Sequence, residues 1–158
     1  MMLSVSAERE DDADVYTRHA QELVRFATVL AGPSAADDLV ASAVVKAFSN
    51  PGWPSVENRR AYLYRAVLNE ARQEGRSTGR RLRREQLAAT PEVNDRSTVR
   101  PEVLAAMRRL EPRQRAIVFF TYWQDRTPAD IAEELGVTTR TVQRELAEAR
   151  TQLLEYLR

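Results

Sequence analysis

Apolar residues recur every three or four positions along most of this chain, which is the spacing of amphipathic helices. The pattern predicts helices over about residues 13–31, 35–49 and 57–75, with further helices after residue 101. No stretch alternates apolar and polar residues as a strand does, so the sequence predicts an all-α fold. The expected core-facing residues are Tyr16, Leu23, Phe26, Ala27, Leu30, Leu39, Ala43, Val44, Ala47, Phe48, Ala61, Tyr64, Leu68 and Ala71.

Helix-breaking residues and changes of composition divide this pattern into two parts. Gly32 and Pro33 are expected to end the first helix, and Ser34 to cap the second. Residues 77–100 are rich in Arg, Ser, Thr, Asn and Pro, which predicts a polar linker that can be helical at its start. We therefore expect a disordered acidic segment at residues 1–12 and two small helical domains, at 13–76 and 101–158.

Residues 127–146 have the sequence features of a helix-turn-helix. Thr127 can cap a first helix, Pro128 fits its first turn, and Asp130 completes a start similar to a capping box. Gly136 is the residue that tolerates a positive φ where that helix must end. Such a pair of helices leaves the second one free to enter a DNA major groove.

The second helix of this pair, capped by Thr138 or Thr139, has an apolar side and an opposite polar side. Its arginine, glutamine and threonine side chains are suited to phosphates and base edges. The candidate DNA-binding residues of this part are Arg126, Thr127, Thr139, Arg140, Thr141, Gln143 and Arg144. The alternative is an ordinary solvent-exposed surface, and Glu145 and Glu148 favour it because carboxylates repel phosphates.

The third predicted helix forms a second candidate surface for DNA. Between residues 59 and 84 the chain has nine arginines and two glutamates, and aromatic and amide side chains lie nearby. That mixture suits unpaired DNA, whose bases stack on rings while cations contact the backbone. The candidates are Trp53, Asn58, Arg59, Arg60, Arg65, Asn69 and Arg72. The alternative is a solvated helix face above a core Trp53 and Tyr62.

Composition argues against several other functions. The 158 residues have a net charge of +1 and include no cysteine, so disulfides and thiolate metal sites are excluded. His19 is the only histidine, no glycine-rich phosphate loop is present, and no nucleophile and base stand at catalytic spacing. We therefore expect neither a cofactor nor a metal nor an enzyme. Without a signal peptide or membrane insertion, we expect a cytoplasmic protein.

Four motifs in order resemble those of the extracytoplasmic-function sigma factors of bacterial RNA polymerase, in the sigma-70 family. The stretches are 36–48 (Ala-Asp-Asp-Leu-Val to Lys-Ala-Phe), 58–69 (Asn-Arg-Arg-Ala-Tyr-Leu-Tyr-Arg to Asn), 108–115 (Arg-Arg-Leu-Glu-Pro to Arg) and 129–137 (Ala-Asp-Ile-Ala-Glu-Glu-Leu-Gly-Val). Together the likeness covers about residues 15–75 and 101–157. Their order and spacing are what make the resemblance specific.

The resemblance implies a division of work between the two parts. The first domain, similar to sigma region 2, would bind core RNA polymerase through the exposed side of the second helix and would read the minus-ten promoter element. The implied polymerase-binding residues are Asp37, Asp38, Leu39, Val40 and Ser42. The second domain, similar to sigma region 4, would read the minus-thirty-five element. Whether an anti-sigma factor is a further partner is left open.

Two other classes of function also remain open at this point. A helix-turn-helix transcriptional regulator would use only its second domain on DNA, and would bind palindromic duplexes without polymerase. A degenerate sigma relative would be a protein-interaction module without DNA binding, which the neutral charge of residues 101–158 favours.

Overall fold

All regular secondary structure is helical in the part that the computed structural model describes, residues 11–85 and 100–157, with the side chains of 76–85 excepted. The helices are α1 (Asp12–Ala31), α2 (Pro33–Ser49), a 3-10 turn (Trp53–Ser55), α3 (Arg59–Glu85), α4 (Pro101–Met107), α5 (Pro112–Tyr122), α6 (Pro128–Leu135) and α7 (Thr139–Leu157). The all-α class is confirmed. Residues 1–10 of the predicted acidic segment and residues 86–99 of the predicted linker lie outside the described ranges.

The break between α1 and α2 is tighter than the sequence suggested. Gly32 takes a φ of 91°, and its N–H donates to the Thr28 carbonyl at 2.8 Å. Helix α2 then begins at Pro33, whose fixed φ suits a first helical position. The expected cap at Ser34 was wrong, because that residue already lies inside the helix.

Helix α3 is longer than predicted. It begins at Arg59, and the Asn58 side-chain oxygen accepts from the Ala61 N–H at 3.0 Å, which caps it. It continues past Gly75 to Glu85, so the start of the predicted linker is helical. The basic stretch is therefore a direct continuation of α3 as far as Glu85.

One contiguous core joins the two halves of the chain. The ring of Phe26 in α1 lies 5.0 Å from that of Tyr64, and 5.1 and 5.2 Å from those of Phe119 and Phe120 in α5. All four side chains are buried. The division into two domains stays a prediction, since here the halves share their central aromatic cluster.

The predicted core stripes are confirmed except at Tyr16, and Phe48 is only half-buried against the core. Tyr16 is 39% exposed, whereas its neighbour Val15 is buried. Adjacent helical residues point about 100° apart, so a stripe placed one residue off selects a solvent-facing side chain. The prediction that Tyr16 faces the core was therefore wrong.

A half-buried arginine adds polar contacts between the two halves of the chain. Arg115 of α5 donates through Nη1 to the Leu30 carbonyl at 2.5 Å, and through Nε to the carbonyls of Met107 and Leu110 at 2.8 and 2.9 Å. These carbonyls lie at or near the C-terminal ends of α1 and α4, where backbone acceptors lack helical partners. Burial lowers the pKa of Arg115, and these acceptors compensate the charge.

Helices α2 and α3 are joined by a carboxylate that the sequence did not single out. Glu70 is buried, and its oxygens accept from Ser42 Oγ at 2.8 Å and from Lys46 Nζ at 3.0 and 2.8 Å. The Lys46 contact holds the pKa of Glu70 below its ordinary value. The charged form of Glu70 thus contributes stability above the ordinary glutamate pKa.

Replacing Glu70 with glutamine should lower the free energy of unfolding at pH 7 by about 1 kcal/mol, after allowance for the solvent around exposed Lys46. Because the pKa is depressed in the fold, that contribution disappears as pH falls below about 4. Urea unfolding of wild type and E70Q at several pH values between about 3 and about 7 checks this. E57Q, which removes an exposed carboxylate, is the control. A difference in unfolding free energy between wild type and E70Q that persists at the lowest pH contradicts the prediction.

In the described ranges, no helix is both long and apolar enough to cross a lipid bilayer.

Candidate nucleic-acid interface

Helices α6 and α7 form the helix-turn-helix that the sequence predicted. Thr127 Oγ1 accepts from the Asp130 N–H at 3.2 Å, which caps α6. Gly136 ends α6 in the left-handed region, with a φ of 69°. Thr138, and not Thr139, caps α7, because its Oγ1 accepts from the Thr141 N–H at 3.1 Å. The predicted caps at Thr127 and Thr138 and the positive φ at Gly136 are thus confirmed.

The outer face of α7 is polar and open to solvent. Val142, Leu146 and Ala149 are buried against the other helices. The exposed side chains on the opposite side are Thr139, Arg140, Gln143, Arg144, Ala147, Glu148 and Thr151. Among the other predicted contacts of this half, Thr127 is exposed, while Arg126 and Thr141 are half-buried. Arg140 and Arg144, one turn apart, give this face its two cations at the helix start.

Of the two carboxylates that argued against DNA binding, one is paired with an arginine inside the protein and the other stays exposed. Glu145 is buried and forms a bidentate ion pair with Arg113 of α5, whose Nε lies 3.0 and 2.8 Å from the two Glu145 oxygens. This contact raises the pKa of Arg113. Glu148 Oε2 lies 3.5 Å from Gln114 Nε2 but stays exposed. The Glu145 charge is therefore neutralised away from the outer face.

The second predicted surface lies along α3. Arg65 and Asn69 are exposed, and Arg72 is half-buried on the same flank. Asn58 is exposed as well, although its side-chain oxygen caps the helix. A flank with two guanidinium groups and an amide at helical spacing can follow a DNA backbone.

Trp53 belongs to the core beneath this flank. Its ring is 2% exposed and lies 4.9 Å from the Phe48 ring and 5.5 Å from the Tyr62 ring. Its Nε1 donates to Asp12 Oδ1 at 2.8 Å, and the Arg59 guanidinium lies 5.1 Å from the ring centroid. In this conformation Trp53 supports the loop and offers no free face to a base.

A carboxylate of α6 faces two of the candidate DNA-binding arginines. Glu134, whose side chain is 2% exposed, accepts from Arg60 Nη1 at 2.5 Å. Arg126 Nη2 lies 2.8 Å from the other Glu134 oxygen. Burial raises the pKa of Glu134, whereas both guanidinium groups lower it. The sequence offered no sign of this cluster, because Arg60 and Glu134 lie 74 positions apart in the chain.

The cluster continues into the first half through neutral groups. Gln124 Oε1 accepts from Arg60 Nη2 at 2.8 Å, and its Nε2 donates to the Tyr64 hydroxyl at 2.9 Å. The Tyr64 hydroxyl donates to Glu22 Oε2 at 3.1 Å. Burial raises the pKa of Tyr64 to about 12, so this hydroxyl remains a donor at neutral pH. The network thus crosses from α1 to α6.

Comparison with known proteins places this geometry in a family. Residues 100–153 match the family model "Sigma-70, region 4". The chain is 29% identical over 152 residues to proteins named RNA polymerase sigma-E factor from Streptomyces coelicolor and Streptomyces avermitilis. Those alignments cover 90% of this chain and 84% and 83% of the relatives. The chain is therefore similar to sigma factors of the sigma-70 family, and its residues 100–153 match their region 4.

A solved structure supports the fold of the chain. The sigma factor RpoE of Bartonella quintana, crystallised in complex with the anti-sigma factor NepR, matches with a TM-score of 0.69 at 23% identity. The match covers 92% of this chain and 95% of that one. Both helical halves are therefore shared with RpoE.

Helix α2 presents only some of the predicted polymerase-binding residues. Asp37 and Asp38 are both exposed on the solvent side, while Ser42 is half-buried and donates to Glu70. Leu39 and Val40 are buried in the core. The expectation that Val40 lies on the exposed side was wrong, because positions 36, 39, 40, 43, 44 and 47 form the buried side of α2.

Two residues of this exposed side were missed. Ala41 is exposed, and Val45 is 64% exposed, one and two turns after Asp37. The signal was present in the sequence, since 37, 41 and 45 share a helix face, but Val45 reads as core beside Val44. The exposed side of α2 thus combines two carboxylates with an apolar patch.

Within residues 11–85 and 100–157, no group of three His, Cys, Asp or Glu side chains is placed to hold a metal ion.

Proposed function

We propose that this chain is a dissociable promoter-specificity subunit of bacterial RNA polymerase and has no catalytic activity of its own. The observation that carries the proposal is the exposed polar face of α7, within a helix-turn-helix that matches sigma-70 region 4. A second helix that projects a free arginine-bearing face is suited to the major groove of the minus-thirty-five element. A protein with this role acts in the cytoplasm.

The first half supplies the contact with the minus-ten element in this proposal. Arg65, Asn69 and Arg72 on the α3 flank bind the non-template strand, with Asn58 and Arg59 at the start of the helix. Flipping one base out of the stack costs a few kcal/mol, which edge contacts in the loop before α3 offset. Trp53 holds that loop in place through the core.

The exposed side of α2 docks on core polymerase. Asp37 and Asp38 provide charge, and Ala41 and Val45 provide apolar contact area. Leu39 and Val40 fix the helix from beneath. Because RpoE of Bartonella quintana was solved with an anti-sigma factor, we also propose a partner of that kind for this chain.

Assembly with polymerase is the direct test. The purified chain, mixed with core RNA polymerase and a genomic template, should form a stable complex and direct transcripts from a defined set of start sites. Binding to a palindromic duplex without polymerase would instead identify a transcriptional regulator. Absence of both a complex and specific starts would overturn the proposal.

Replacing Arg140 and Arg144 with alanine should change which upstream sequences are used. Both side chains lie on the outer face of α7, and removing a bidentate arginine–base pair costs about 1–3 kcal/mol of discrimination. Sequencing of transcript starts from the same genomic template measures this. The control is Arg108→Ala with Arg109→Ala, which removes the same charge from exposed positions outside α7. An unaltered promoter profile counts against base recognition by α7.

A further inference from the structure

Two arginines that suit DNA phosphates are bound to a carboxylate of their own chain. Arg60 begins the α3 flank of the first half, and Arg126 precedes α6 of the second half. Both guanidinium groups lie against Glu134, at 2.5 and 2.8 Å. In this conformation both arginines already have an anionic partner, which a DNA phosphate would have to replace to bind the same guanidinium atoms.

The Glu134 carboxylate resembles a phosphodiester in its geometry. It presents each of its oxygens to a different guanidinium group, as a phosphodiester presents its two non-bridging oxygens. Gln124 completes the cradle by accepting from Arg60 Nη2. A backbone phosphate placed here would meet donors from both halves of the chain at once.

The internal contact is also incompletely satisfied. Within the described part of the chain, Arg126 Nε and Glu134 Oε2 are buried and lack a hydrogen-bond partner, since Arg126 Nη2 is close but poorly aligned. A buried polar atom left without a partner costs about 1–3 kcal/mol. The arginine side chains are 27% and 31% exposed, so solvent and competing anions reach them.

The same contact places the helix-turn-helix against the α3 flank. A Cβ on Gly136 in the turn would lie 3.5 Å from Arg65 Nη1. A strand following Arg65 towards the start of α3 would therefore meet α6 and its turn. DNA on this flank and α6 in its present place compete for the same space.

We propose that Arg60 and Arg126 form a phosphodiester-binding site that Glu134 fills in the closed chain, so that DNA binds there only when Glu134 is displaced. The choice of DNA as the ligand rests on the proposed function, whereas the competition itself is a property of the isolated chain. Displacement moves α6 away from α3 and frees one cation from each half.

The isolated chain allows both parts to be measured. The sequence has no cysteine, so spin labels at Gln73→Cys and Ala129→Cys, both exposed, report the distance between α3 and α6. Binding is measured with a mixed-sequence single-stranded DNA of about 20 nucleotides. In E134Q the label distance should lengthen without DNA, and DNA affinity should rise about tenfold, because less of the protein is held in the closed form.

Matched variants separate this effect from charge alone. E133Q makes the same charge change at the adjacent exposed position and should change affinity far less, while E134D retains the carboxylate and should restore most of the closed form. The unmodified chain gives a further test, since saturating DNA should lengthen its label distance. Equal affinities of E134Q and E133Q, or an unchanged label distance on saturation, overturn the proposal.

These outcomes are independent of polymerase. If the chain opens on DNA as described but never directs initiation, the Glu134 site is supported and the proposed function is refuted. If the chain directs initiation but E134Q behaves like E133Q, the proposed function is supported and the Glu134 site is refuted.

Discussion

Replacing Phe26 with alanine should lower the free energy of unfolding by about 3–5 kcal/mol. Phe26 is completely buried, and its ring lies within 5.2 Å of the rings of Tyr64, Phe119 and Phe120. The change removes apolar burial, opens a cavity and ends three aromatic interactions, and neighbouring aromatic pairs add about 0.5–1.5 kcal/mol beyond burial. Urea unfolding followed by circular dichroism measures the loss of stability.

Phe26→Leu is the matched control, because it keeps an apolar side chain and should cost markedly less than alanine. The unfolding curve itself carries a second result. Since Phe26 in α1 packs on Phe119 and Phe120 in α5, both halves should lose stability together in one transition. A variant in which α5 to α7 unfold at the wild-type urea concentration would show that the halves do not share a core.

The shared core also explains what the sequence could and could not reveal. Helix positions and inward residues such as Leu23, Phe26 and Val142 follow from local periodicity, because each helix must bury its own apolar side. Turn chemistry at Thr127 and Gly136 is likewise local. Both could therefore be predicted from residues close in the chain.

The polar contacts between the halves follow no such local rule. Glu134 is an ordinary surface glutamate by its position in α6, yet it lies buried between Arg60 and Arg126. Arg115 is one basic residue of a recognisable motif, but its partners are carbonyls of α1 and α4. The tertiary structure decides which basic side chains are paired with carboxylates. Basic residues selected from the sequence alone therefore include Arg60 and Arg126, whose charges are paired with Glu134.

The largest functional prediction concerns two α3 arginines that form no ion pair with Glu134 in the described part of the chain. Replacing Arg65 and Arg72 with alanine should reduce open-complex formation about tenfold or more at a promoter identified by transcript mapping. Both lie on the α3 flank, whereas the ion pairs of Glu134 within the described ranges are made by Arg60 and Arg126. Removing one phosphate-binding cation flattens the salt dependence of single-strand binding by about 0.7 in log–log slope. Permanganate reactivity of unpaired thymines at the start site measures the open complex directly.

The control is Arg18→Ala with Arg25→Ala, which removes two exposed arginines from α1 instead. Arg65→Lys with Arg72→Lys should restore part of the activity, because lysine keeps the charge but loses the bidentate fork. A template already unpaired at the minus-ten element distinguishes the two ways in which these arginines can act. If they hold the separated strand, prior melting rescues the double alanine variant only weakly, whereas full rescue would confine their role to opening the duplex. Wild-type permanganate reactivity in the variant would remove the α3 flank from the DNA-binding surface.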